Sequence, residues 1–156
     1  MKYRRLTNEE LQKLEKKFVQ FLVANTITAT DWELIKQKDA NQALKLVDIF
    51  SEQMFEATMK KVEFLKFKEA KDIKVFRCAE QNMTLLGLTV SENTPVDFTQ
   101  SIDLQEVMKH TEGISIYKQE KKYKLNREQE VFKLIENGCQ ISDGHLFDIL
   151  EKLYSS

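Results

Sequence analysis

Apolar residues recur every three or four positions after Asp39. Ala43, Leu46, Val47, Phe50, Met54 and Ala57 share one stripe of a 3.6-residue period, which predicts a long amphipathic helix with that stripe facing the core. Asp39 is its expected N-cap, with Gln42 three residues on as the reciprocal partner. The same rotation brings Lys61 into the stripe, so the helix is expected to end, or leave the core, just before it. The pattern then changes. Residues 61 to 67 (KVEFLKF), 73 to 78 (IKVFRC) and 83 to 90 (MTLLGLTV) are short, aromatic or β-branched runs separated by the polar loops KEAKD and AEQN. They predict a three-stranded antiparallel meander, because loops this short make hairpins rather than crossovers.

The flanking segments are also patterned. Thr7 with Glu10 predicts a capping box that opens a helix to about Ala24, with Leu11, Leu14, Phe18, Phe21 and Leu22 on one face. A second box, Thr30 with Glu33, predicts a short helix carrying Trp32 and Ile35. After the meander, SENTPVDFTQS reads as a loop, with Pro95 interrupting any strand and Ser101 capping a helix to about His110. Gly113 closes that segment. ISIY, from Ile114, reads as a strand that EKKYKL extends, before Asn126 caps a helix lined by Val131, Leu134 and Ile135. Gly138 ends it, and Ser142 caps a last helix lined by Leu146, Ile149, Leu150 and Leu153. The expected architecture is a single α+β domain over residues 1–156. N-terminal helices (1–60) pack on a small antiparallel sheet of three or four strands (61–125), followed by two closing helices (126–156).

Composition narrows the function classes. The chain of 156 residues is long enough for a core of its own, and its 24 Lys and Arg against 25 Asp and Glu give no global attraction to nucleic acid or an acidic membrane. The two cysteines do not form a disulfide framework, and reduced thiols in a cytoplasmic protein are expected. MKYRRLTNEEL has the charge of a signal peptide without the apolar region behind it, and no apolar run is long enough to span a bilayer, so neither export nor membrane insertion is expected.

Local charge is uneven. Residues 60 to 77 hold seven basic and three acidic side chains and residues 117 to 127 hold five and one, whereas 91 to 113 and 128 to 156 are acidic by five to one and six to two. If the basic stretches lie side by side, Lys66, Lys68, Lys74, Arg77, Lys121, Lys122 and Lys124 would form a basic sheet face. Phe64, Phe76, Tyr117 and Tyr123 would supply its aromatics, an arrangement suited to neutralising phosphates and stacking bases. The competing explanation is that strands need a solvated face and that lysines guard exposed edges.

No catalytic, cofactor-binding or metal site is expected. Cys139 and His145 are near in sequence, but Cys139 falls just past a predicted helix C-terminus, where the dipole disfavours a thiolate. Cys78, Cys139, His110 and His145 have no finger or ribbon spacing for zinc. Asp143-Gly144-His145 reads as a helix start, and the chain has no phosphate-cradling glycine loop, nucleophile elbow or paired His-Glu helix motif.

Two resemblances bear on function. LNREQEVFKLIENG, Leu125 to Gly138, resembles the opening helix of the LuxR-type helix-turn-helix domain. That domain continues with a positioning and a recognition helix, whereas one acidic helix is predicted here, from Asp143 to Tyr154, so DNA binding by this route is not expected. Over most of its length the chain resembles a family of small bacterial cytoplasmic proteins, a domain of unknown function. MKYRRLT, TDWE at Thr30 to Glu33, KVFRC and NREQEVFKLIENGCQISDG carry that likeness, which implies a bacterial cytoplasmic protein and transfers no functional residue. The leading expectation is a non-catalytic protein-binding or regulatory module with a protein partner. RNA or single-stranded DNA binding through the basic strands is one alternative, and an enzyme of unidentified reaction is the other.

Overall fold

A computed structural model describes residues 1–101, 103–110 and 112–156, with only the backbone of His110. The described residues form seven helices and one five-stranded sheet, divided into two compact units, Met1–Lys60 and Lys61–Ser156. The fold class is α+β, with five strands rather than three or four.

The first unit is helical. Helix α1 (Asn8–Lys13) opens on the capping box of Thr7 and Glu10, and α2 (Glu15–Ala24) follows it directly. The single helix expected there is interrupted at Leu14, whose amide is shared between the Glu10 and Leu11 carbonyls. Helix α3 (Ala29–Lys38) begins two residues before the expected start. Its box is Thr28 with Asp31 rather than Thr30 with Glu33, because the shorter Asp carboxylate makes the same reciprocal bonds. The Asp39 cap of α4 (Ala40–Lys61) is as expected, with Gln42 N donating to Asp39 Oδ1 at 3.1 Å.

Ala43, Leu46, Val47 and Phe50 of the α4 stripe are buried, Met54 is half-buried and Ala57 is exposed. Near the C-terminal end of α4 the buried residue is Met59 rather than Ala57. Phe50 is fully buried, its ring centroid 5.0 Å from Phe18 and 5.4 Å from Phe21, while Trp32 sits edge-on to Phe18 at 5.2 Å. The segment before α1 lies along α4. Leu6 N donates to the buried Ser51 Oγ at 2.9 Å, Ser51 Oγ donates to Val47 O, and Arg5 pairs with Asp48.

Arg4 grips Glu10 with two bonds, 2.7 and 3.1 Å, and this holds the Glu10 carboxyl down at about 2. A depressed carboxyl contributes stability above its unfolded value near 4.5 and loses it as the pH falls through about 2. Glu10→Gln is therefore expected to flatten the loss of stability over that interval. Urea midpoints for the two proteins, compared across it, check this, and parallel acid-side curves would refute it.

The second unit holds the sheet, ordered β4-β3-β2-β1-β5 and antiparallel throughout. Strands β1 (Phe64–Lys68), β2 (Asp72–Cys78) and β3 (Asn82–Val90) form the expected meander. β4 (Ile114–Lys122) lies on β3, and β5 (Gln140–Ser142) pairs with β1 as a fifth strand inside the segment expected to be only helices and turns.

Between β3 and β4, helix α5 (Leu104–His110) is capped by Asp103, which accepts from Gln105 N at 2.9 Å, and not by Ser101. Asn126 caps α6 (Arg127–Glu136), as the sequence predicts. Helix α7 (His145–Ser155) is not capped by Ser142, which is used in β5. Asp143 Oδ1 accepts from His145 N, and Gly144 is the cap residue at φ +91°. A Cβ on Gly144 would meet the Phe64 ring at 2.6 Å, so both conformation and space require glycine there.

Cross-strand partners share a face, so the registers assign every strand residue to one side of the sheet. The face packed on α7 carries Ile73, Val75, Leu86, Leu88 and Val90, buried with Phe98, Phe147 and Leu150.

Candidate functional site

The registers divide the basic residues between two faces. Lys66 opposes Val75, Lys68 opposes Ile73, Arg77 opposes Phe64 and Lys122 opposes Asn82, which puts these four on the α7 face. Lys74 and Lys121 fall on the other, with Phe76 and Tyr117. The basic stretches are not adjacent either, because β3 separates β2 from β4.

Several of these side chains also have internal partners. Lys74 pairs with Asp72 at 2.5 Å, and Tyr117 donates to the same carboxylate at 2.7 Å, its ring laid across Gly87. Arg77 stands 5.2 Å over the Phe147 ring, and Lys121 meets Glu130 at 3.2 Å. Tyr123, just past β4, donates to Ala79 O and Asn82 O, and burial pushes its hydroxyl up to about 12. Lys66, Lys68, Lys122 and Lys124 make no ion pair among the described residues.

The thiols are buried. Cys78 faces away from α7, and burial pushes it up to about 11 against a smaller lowering by Arg127; Cys139 is raised by burial as well. Neither is an activated nucleophile at neutral pH. Both are expected to resist alkylation in the native protein at about pH 8 and to react fully once denatured without reductant. Mass spectrometry after iodoacetamide reads this, and rapid native labelling of Cys78 would contradict the burial. No three His, Cys, Asp or Glu converge as a metal site among the described residues; the His110 side chain lies outside them.

A cleft of about 520 Å³ opens on the α7 face, its lining including the apolar Ile73, Phe98, Leu146 and Ile149 and the polar Lys68, Ser101, Asp103 and His145. Asp103 is occupied in capping α5. Among the described residues no hydrogen bond joins Lys68, Ser101, Asp103 and His145 to one another.

A further feature is the outer edge of β4. Val90 N donates to Lys71 O and Cys78 N to Glu63 O, which fixes the alternation of the ladder: Thr84, Leu86, Leu88 and Val90 turn their backbone groups to β2. Met83, Leu85, Gly87 and Thr89 therefore bond to Lys121, Gln119, Tyr117 and Ser115 of β4. Ile114, Ile116, Lys118, Glu120 and Lys122 are left with their N–H and C=O groups turned outward. No hydrogen bond among the described residues covers them, and residues 118 to 122 are exposed. The sequence signals the strand but not its place at the edge. The opposite edge is β5, only three residues long.

No curated protein and no solved structure matches this chain. The model of a family of unknown function, DUF6495, matches residues 1–155, and the chain belongs to that family.

Proposed function

We propose that the protein is a non-catalytic protein-binding or regulatory module of the bacterial cytoplasm, and that it engages its partner along the free edge of β4. The observation that carries this reading is the nine-residue edge strand whose alternate backbone groups are turned outward and have no partner among the described residues. Such an edge binds an extended segment of another protein by continuing the ladder, with main-chain bonds giving affinity and neighbouring side chains giving selectivity. The bacterial cytoplasmic setting rests on the sequence resemblance. No helix among the described residues is long and apolar enough to cross a membrane.

Glu120→Pro tests the reading. It removes an outward N–H and leaves the bonds to β3 in place, a position where a strand tolerates proline. Affinity capture from the cytosol of the source cells should recover a protein that survives nuclease treatment and is lost with Glu120→Pro. Partners that disappear on nuclease treatment, together with single-stranded RNA binding that weakens steeply between about 50 and 200 mM salt, would replace this reading with the nucleic-acid one.

A further inference from the structure

We infer that the β4 edge selects an extended partner segment that is acidic towards its N-terminus and aliphatic towards its C-terminus, added antiparallel to β4. This rests on the docking reading above and specifies the chemistry of its partner. The argument starts from the asymmetry of the strand. Its first half presents Ile114 and Ile116, half-buried against the core on the α7 face. On the same face its second half presents Lys118 and Lys122 with Glu120 between them, while Lys121 lies on the other face and Lys124 follows the strand. Lys118 lies 5.8 Å over the Tyr154 ring and Lys121 is held by Glu130, while Lys122 and Lys124 have no ion pair among the described residues.

An incoming strand sets its side chains directly beside those of β4, so opposite charges there attract and like charges repel. Aliphatic residues beside Ile114 and Ile116 would extend the apolar face, and carboxylates beside Lys118 and Lys122 would neutralise the basic end. Antiparallel pairing is the more stable ladder, and it fixes the order of the two halves in the partner. The same lysines disfavour a second copy of this chain. Two β4 strands in fully overlapping antiparallel register would set Lys118 against Lys118 of the other copy and bring no carboxylate to Lys122.

The test uses the full chain labelled with nitrogen-15 and two designed capped peptides of nine residues, the length of β4. One reads Glu-Thr-Thr-Thr-Glu-Thr-Val-Thr-Val, so that antiparallel pairing along the whole strand sets its Glu residues beside Lys122 and Lys118, a Thr beside Glu120 and its Val residues beside Ile116 and Ile114; the other has Lys in place of both Glu. The acidic peptide is expected to shift the amides of Ile114, Ile116, Lys118, Glu120 and Lys122, and to bind about tenfold or more tightly than the basic one. The double variant Lys118→Glu and Lys122→Glu should reverse that preference, and Glu120→Pro should abolish binding of both while melting near the parent temperature.

Equal binding of the two peptides, still lost in Glu120→Pro, would overturn the charge selectivity and leave the edge as the docking element. Binding indifferent to Glu120→Pro would overturn both. No binding of either peptide at millimolar concentration, or a concentration-dependent dimer that protects the β4 amides, would overturn the selectivity inferred here.

Discussion

Phe50→Ala is expected to destabilise the protein by about 3–5 kcal/mol, the range for removing a large buried aromatic and leaving a cavity. The upper part of that range applies because Phe50 is fully buried and ringed by aromatics. Phe18 and Phe21 both lie within 5.4 Å of it by ring centroid, and Trp32 is braced against Phe18. Rings held edge-on and tilted by one another cannot collapse into the vacated space without breaking those contacts, so relaxation recovers little. Phe50→Leu, which keeps most of the volume, should cost less than half as much. Urea unfolding followed by the fluorescence of Trp32 measures both. A loss under about 0.5 kcal/mol for the alanine variant would mean that the buried stripe of α4 has been assigned to the wrong side.

Arg127→Ala is the second large effect, at about 2–4 kcal/mol, and its cause is polar. The side chain is largely buried at the start of α6, and its guanidinium donates to Cys78 O at 3.0 and 3.1 Å and to Val62 O. It therefore fastens α6 to the end of β2 and to the approach to β1. Truncation removes charge-assisted bonds and leaves buried carbonyls without a donor, which costs more than the bonds are worth net. Arg127→Lys should recover less than half of the loss, because a single ammonium cannot reproduce the planar fork that spans two carbonyls. Chemical denaturation of the three proteins gives the comparison, and full rescue by lysine would show that charge alone matters there.

The two substitutions differ in how visible they were beforehand. Phe50 is marked by the period of the α4 stripe, which needs only neighbouring residues. Arg127 looks like an ordinary charge in the first turn of a helix, and its role depends on carbonyls contributed from Val62 and Cys78. The caps show the same division at closer range. Thr7, Asp39 and Asn126 act where their spacing predicts, because each cap involves one residue and an amide three positions on. Thr30, Ser101 and Ser142 were expected in that role and do not fill it. Thr28, Asp103 and the Asp143-Gly144 pair offered competing local geometries, and Ser142 was drawn into a strand pair with Phe64.

By itself the sequence determined what is local: the helices, the stripe of α4 and the β1-β2-β3 meander, whose short loops leave hairpin pairing as the accessible connection. Only the tertiary structure decided which segments became neighbours across long stretches of chain. It set β5 beside β1, too short at three residues for any periodicity to announce it, and it set β4 at the outside of β3. It also decided where the lysines went. Their identities are legible in the sequence, but alternation along a strand sends successive residues to opposite faces, and register and strand order fix which of them meet. Lys66, Lys68, Arg77 and Lys122 were thereby separated from Lys74 and Lys121, and alternate backbone groups of β4 were turned outward at the sheet edge, because both depend on pairings between residues far apart in the chain.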